Sequence, residues 1–292
     1  MPFPYFDETK ELNDITREDA QGSFIALTDG VTHYELSGDE GLASIAMVHG
    51  FSTPYFIFDT TFDFLVESGF RVLRYDLFGR GLSDRPRVEY DIHLFVRQLK
   101  ELLDALKMKP VNLIGLSMGG PITASFITRY PDYVTKHILI DPAGAKRIAL
   151  SQLLEIAKLP GVGELVLALF GNISMIKGIA KDMLTPQLIA AFQERYKVQM
   201  QYKGFKRAIL SSMRNQMLES FIDEYGRVGK LGKPTLLFWG KQDKTVPFED
   251  SMLLRQAIPT VKFHAIENCG HLPHYERPDE VNPILLEFLK KG

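Results

Sequence analysis

Apolar positions follow two alternating rhythms along this chain. Residues 23–27, 31–36, 43–49, 70–75, 111–115, 136–140, 234–239 and 261–266 form short runs, mostly apolar or β-branched, that are too brief for helices and read as strands. The first two flank Thr28-Asp29-Gly30, whose aspartate and glycine suit a tight turn, so a hairpin is expected at one edge of a sheet. Between the later runs lie helical patterns, clearest where Ile92, Phe95, Val96, Leu99, Leu102, Leu103 and Leu106 share one face, with a last helix near residues 282–290. Strands alternating with helices predict an α/β fold with a mainly parallel sheet and right-handed crossovers.

One interval breaks the rhythm. Residues 144–233 contain no convincing strand, although a crossover needs only about a dozen residues. Residues 150–159, 164–170, 186–201 and 204–220 have helical composition, interrupted at Pro160-Gly161-Val162-Gly163 and at Gly171-Asn172. The expectation is a discontinuous core, residues 1–143 and 234–292, with a helical lid of residues 144–233 spliced between two strands. Most apolar residues at 165–170 and 173–179 are expected to pack within that lid, and the rest to line a pocket or touch a lipid surface.

Composition narrows the function classes. With 34 basic and 36 acidic residues the net charge is −2, and no run of five like charges occurs, so a nucleic-acid partner is not expected. The 45% apolar content can fill a substantial core. A single cysteine, Cys269, gives no sign of disulfide-dependent secretion, and the acidic start with two early prolines lacks the pattern of a signal peptide, so a cytoplasmic location is expected. The longest uncharged stretches, residues 41–58 and 111–128, contain Gly, Pro, Ser, Thr and Asn and read as strand, turn and helix, not as an integral membrane span.

The chemistry concentrates at strand ends. Gly115-Leu-Ser117-Met118-Gly119-Gly120 follows a buried strand and precedes a helix, which is G-x-S-x-G in the strand–turn–helix context that a nucleophilic serine requires. Gly115 and Gly119 let strand and helix approach closely. A serine hydroxyl needs a base to take its proton and an acid to orient that base. His271, in the loop after the last strand, is the expected base, ahead of His274, which is expected to be partly exposed. Asp243, after the strand ending near Trp239, is the expected acid, with Asp141 after the preceding strand as competitor. Met118 and Phe51 are the expected backbone donors to an oxyanion; Gly50 allows the turn and His49 braces it. Cys269 reads as a small buried filler. The Asp76–Ser83 loop lacks the third glycine of a dinucleotide fingerprint, and neither a cofactor nor a metal-ligand set is indicated.

Together His49-Gly50, the Asp76-Leu-Phe-Gly79-Arg-Gly81-Leu-Ser83 loop, the serine turn, Gly240-x-x-Asp243 and Gly270-His271 resemble the α/β-hydrolase superfamily over nearly the whole chain. The resemblance implies an eight-stranded, mostly parallel sheet. The Ser117 turn and the inserted lid look like those of serine esterases, monoacylglycerol lipases and carbon–carbon bond hydrolases. Carbon–carbon hydrolases usually carry a longer glycine-rich run after His-Gly, where this chain has Phe51-Ser52-Thr53. The expected activity is therefore hydrolysis of a small carboxylic ester with an apolar acyl group through an acyl-enzyme. The alternatives are hydrolysis of a vinylogous diketone and, in another class, a ligand receptor on the same fold.

Overall fold

Each run expected as a strand forms one, since its apolar side chains find cover on one or both faces of a single sheet. In the computed structural model, which describes residues 3, 5–149 and 155–291, the strands are β1 Ser23–Leu27, β2 Gly30–Ser37, β3 Ser44–Val48, β4 Arg71–Tyr75, β5 Val111–Leu116, β6 Val134–Ile140, β7 Thr235–Gly240 and β8 Lys262–Ile266. They lie in the order β1-β2-β4-β3-β5-β6-β7-β8. The β1–β2 hairpin is antiparallel at the edge, β2 meets β4 antiparallel, and the other five pairings are parallel. Every residue of β5 and β7 is buried, as two-sided cover by helices requires.

Register decides where the chemistry sits. Val48 pairs with Gly115, Leu116 with Ile140, Ile140 with Phe238 and Gly240 with Ile266. The carboxyl ends of β3, β5, β6, β7 and β8 thus finish level, and the loops that follow them open on one edge of the sheet.

The helices follow local rules. Ile92–Ala105 begins where the Asp91 side chain accepts the Leu94 amide at 2.9 Å and ends before Lys107, whose φ is 54°. Its buried stripe of Leu94, Phe95, Leu99, Leu102 and Leu103 fills one face of the sheet together with helix Gly119–Arg129. The other face is covered by helices Asp59–Glu67 and Pro278–Lys290 and by part of the insertion. The last helix starts four residues earlier than periodicity indicates, because Pro278 serves as its first residue.

The insertion departs from expectation in several places. Gly171-Asn172 does not interrupt the chain: Val162–Asp182 is one continuous helix. An interior glycine costs about 1 kcal/mol. Here tertiary contact overrides that cost, since Gly171 is buried and Asn172 Nδ2 donates to Asp7 Oδ2 at 2.5 Å. Conversely the helix expected to reach residue 220 stops at Arg214, where the Asn215 side chain bonds Ser211 and Gln216 takes a φ of 63°. Helix Ile222–Leu231, unmarked by periodicity, packs on the flank beside helices Gly119–Arg129 and Ser251–Ala257, with the Tyr225 hydroxyl donating to Ala143 O at 2.7 Å. The run at residues 150–159 lies partly outside the described residues.

Leu165, Leu169, Phe170 and Ile173, expected mainly to pack inside the lid, are half-exposed instead. Their helix, Val162–Asp182, is the one among the described residues long and apolar enough to cross a membrane. It turns Gly163, Leu167 and Gly171 inward and pairs Glu164 with Arg214 at 2.7 Å, so its inner face is held by the protein.

The N-terminal segment straps this insertion. Lys10 bridges Tyr202, and the buried Lys206 ammonium is paired with Asp7. Glu8 accepts the amides of Gly204 and Lys206 at 2.6 and 2.7 Å, capping helix Phe205–Arg214 from outside the helix's own sequence. Replacing Glu8 by alanine should strand both amides and lower stability by about 1–2 kcal/mol; equilibrium urea unfolding checks this, and an unchanged midpoint would remove the strap from the account.

Candidate active site

The turn after β5 has no room for ordinary residues. A Cβ on Gly115 would lie 2.6 Å from Gly119 O and from Thr123 Oγ1, and one on Gly119 would lie 2.2 Å from Val48 O. Between them Ser117 is held at a φ of 52°, a conformation that costs an L-residue about 1–3 kcal/mol and is kept only by its surroundings. Those surroundings are the Ser117 amide donating to Ile140 O and the Ala143 amide donating to Ser117 O, both at 3.0 Å. The hydroxyl therefore stands at the amino end of helix Gly119–Arg129, where the helix dipole favours negative charge.

The loop after β3 lies against it. A Cβ on Gly50 would come within 3.2 Å of Ser117 Cβ. Among the described hydrogen bonds, the Phe51 and Met118 amides are spent on no protein acceptor, which leaves both N–H groups available to an oxyanion. His49 is fully buried; its Nε2 accepts the Leu77 amide and its Nδ1 faces Gly50 O, each at 2.9 Å. Burial pushes this imidazole down to about 4, so it stays neutral and braces two loops.

Arg80 secures the same loop from below. It is fully buried and donates to Phe51 O at 2.8 Å, Phe78 O at 3.2 Å and Ser212 Oγ at 2.9 Å. Burial brings its guanidinium down to about 10. Asp76 anchors the start of that loop, accepting from the Tyr55 and Leu82 amides at 2.9 Å and from His33 Nδ1 at 2.8 Å. Burial opposes its charge, but the His33 hydrogen bond and charge outweigh it and hold Asp76 below the usual carboxylate range.

His271 and Asp243 meet at the far side. The His271 amide donates to Asp182 O at 2.7 Å, and its Nδ1 lies 2.6 Å from Asp243 Oδ2. Asp243 Oδ1 accepts the amides of Thr245 and Val246 at 2.7 and 2.9 Å, so the carboxylate is fixed before it orients the ring. Burial lowers the affinity of His271 for a proton, but the Asp243 charge and hydrogen bond and then the Asp182 charge reverse this, and its pKa is raised. Among the described residues, His271 has Asp243 as its side-chain hydrogen-bond partner and none in Ser117.

His274 is not partly exposed. It is buried against Phe58, its Nε2 faces Ile57 O at 3.1 Å, and burial takes it down to about 3, which excludes it as the mobile base. Cys269 is buried and its thiol is pushed up by burial, consistent with a filler. Asp141, the competing acid, is buried beside Asp243 without reaching His271 as a hydrogen-bond partner.

Two groups carry no mark in the sequence reading. Asp182, at the end of the long insertion helix, receives the Thr245 hydroxyl at 2.5 Å and sets its charge near His271. Glu276 clamps the insertion to the histidine loop, accepting the Gly270 amide at 2.8 Å through one oxygen and the Leu184 and Thr185 amides at 2.6 and 3.0 Å through the other. Glu276 lies only five residues beyond His271, but its latch partners Leu184 and Thr185 are 92 and 91 residues away, and nothing local distinguishes Asp182. Asp141, Asp243 and His271 each place a carboxyl oxygen or ring nitrogen within 4.8 Å of the others.

A model of the family described as alpha/beta hydrolase fold matches residues 44–278. The chain is 29% identical over 282 residues to the 2-hydroxy-6-oxo-6-phenylhexa-2,4-dienoate hydrolase of Comamonas testosteroni, covering 91% of this chain and 93% of that one. It is 28% identical over 277 residues to a 2-hydroxy-6-oxononadienedioate/2-hydroxy-6-oxononatrienedioate hydrolase of Klebsiella pneumoniae, covering 89% and 91%. Among solved structures, an esterase from Exiguobacterium antarcticum superposes with a TM-score of 0.78 at 23% identity, covering 93% of this chain and all 100% of that one. That last likeness is one of fold.

If His271 is the base, activity must fall as pH drops through its raised pKa, because only the neutral ring takes the serine proton. Asp182→Asn removes one of the charges that raise it. The acid limb of kcat/KM should move to lower pH in that variant, raising its rate relative to wild type by up to a few-fold on the acid side. A limb that stays in place would show that Asp182 does not act on the base.

Proposed function

The chain belongs to the alpha/beta hydrolase fold family, and on that premise we propose that it is a serine hydrolase breaking a bond beside a carbonyl, with a vinylogous diketone ahead of a simple ester as substrate. The observation that carries the catalytic reading is the 2.6 Å contact of His271 with Asp243, on the same sheet edge as the strained Ser117 turn. The substrate ranking reverses the expectation from sequence. It is supported by the carbon–carbon hydrolases that share 28–29% identity with this chain over about nine-tenths of both lengths.

In this reading Ser117 Oγ attacks the carbonyl while His271 Nε2 takes its proton, and the Met118 and Phe51 amides receive the oxyanion. Asp243 keeps the ring in the tautomer with Nδ1 protonated and balances the imidazolium. As the tetrahedral centre collapses, the electron pair of the breaking bond passes into the conjugated dienolate, and the proton on His271 goes to its carbon. Water activated by His271 then attacks the acyl-enzyme, releasing the acid and restoring Ser117.

Ester hydrolysis uses the same groups, with the proton delivered to an alkoxide oxygen. One observation favours it. The surroundings of His271 carry the Asp243 and Asp182 carboxylates, and each Arg80 nitrogen already donates to a protein acceptor, so a neutral substrate meets less opposition than one bearing a free carboxylate. The insertion, latched to the histidine and acid loops by Glu276 and Asp182, acts as the lid that selects the substrate.

Parallel assays decide between the two. Loss of dienoate absorbance with 2-hydroxy-6-oxo-6-phenylhexa-2,4-dienoate is expected at a kcat/KM on the order of tenfold above that for p-nitrophenyl esters of any acyl length, and Ser117→Ala should abolish both. Turnover of esters alone would restore the ester reading. A single turnover without release would instead support a receptor.

The exposed apolar side of helix Val162–Asp182, with Lys177 and Lys181 exposed at its carboxyl end, supports a contact between the lid and an anionic lipid surface. Wild type should co-sediment with vesicles of phosphatidylglycerol, and a Leu169→Ser, Phe170→Ser variant should not. Equal recovery of the two with the vesicles, or of neither, would remove lipid from the proposal.

A further inference from the structure

Resting on the serine-hydrolase reading, a second carboxyl enters the site. Asp141 stands at the end of β6 with a φ of 39°, in the left-handed region that costs a residue other than glycine, though aspartate less than most. Its side chain is fully buried. Oδ1 accepts the Gly240 amide at 2.9 Å, while Oδ2 has no partner. A carboxyl oxygen of Asp141 lies within 4.8 Å of one from Asp243 and of a ring nitrogen of His271.

The groups facing this pair are the Asp243 carboxylate, the His271 ring, Asp182 from the insertion, and Glu276 and the Cys269 thiol from the histidine loop. None of the carboxyls brings a cation to Asp141. Asp243 already accepts from Thr245, Val246 and His271. A second anion here would face the first in a site closed to water, whereas a neutral carboxyl has one hydrogen to give and an acceptor beside it. Burial and then the Asp243 charge push the Asp141 carboxyl well above its usual range.

We propose that Asp141 is a positioning residue that stays protonated and donates its hydrogen bond to Asp243, steadying the carboxylate that holds the His271 ring. The proton gives the orphan Oδ2 its partner and removes the like-charge conflict. It also gives the strained backbone at Asp141 a purpose: the left-handed turn carries the carboxyl toward Asp243 instead of letting it follow β6.

The test uses the full-length protein with carbon-13-labelled histidine. Asp141→Asn keeps a neutral donor of similar shape, so the His271 titration midpoint should stay where it is in wild type, while Asp243→Asn should lower it. If Asp141 is an anion, Asp141→Asn lowers the midpoint too and the proposal fails. In kinetics Asp141→Asn should retain kcat within about threefold, and Asp141→Leu, which has no donor, should lose on the order of tenfold with KM little changed. Full activity in Asp141→Leu, or an equal loss in Asp141→Asn, overturns it. Should Asp141→Leu not fold, the Asp141→Asn titration decides alone. That titration needs no turnover, so it judges Asp141 even if Ser117→Ala leaves activity intact and the serine reading is itself lost.

Discussion

The close approach of helix Gly119–Arg129 to the end of β5 is the constraint on which the other features depend. With no Cβ at Gly115 or Gly119, the helix starts in contact with β3 and β5, and Ser117 is forced into its left-handed conformation between them. The same geometry places the hydroxyl at the helix amino end and brings the Gly50 loop so close that a Cβ on Gly50 would lie 3.2 Å from Ser117 Cβ. A larger residue at either glycine would not simply crowd the site. It would separate strand from helix and move Ser117 relative to every group supplied by neighbouring strands.

The opposite side of the site is organised by charge. His271 is buried, which alone would keep it neutral and a weak base, and the carboxylates around it reverse that preference. They come from two separate parts of the chain: Asp243 after β7 and Asp182 from the insertion. The insertion is thus more than a cover. It contributes to the protonation of His271, and the hydrogen bond from the His271 amide to Asp182 O joins its helix end to the histidine itself. Opening that contact would expose the site and lower the basicity of His271 together.

A third chain of contacts runs from the N-terminal strap to the loop after β3. Glu8 caps helix Phe205–Arg214, Ser212 on that helix accepts from Arg80, and Arg80 donates to Phe51 O. Three segments far apart in sequence therefore share the task of holding the Phe51 carbonyl. The uncompensated charge of Arg80 is tolerated because each of its nitrogens donates to a protein acceptor and the rings of Phe51, Tyr90 and Phe95 lie 5.5, 5.9 and 5.5 Å from it.

Much of this was legible in the sequence, for physical reasons. Strands announce themselves by apolar runs, and each expected strand is present within a few residues of its predicted bounds. The G-x-S-x-G turn is readable because its glycines answer a local steric demand, and His271 and Asp243 because loops at carboxyl ends of parallel strands converge. The continuity of Val162–Asp182 through Gly171, the burial of His274, the latch at Glu276 and the charge of Asp182 were not legible, since each depends on a partner tens or hundreds of residues away. Local propensity and spacing determined which residues could do chemistry and on which edge they would stand. Only the tertiary structure decided their protonation and mutual orientation, because those are set by burial and by neighbouring charges that the linear order does not contain.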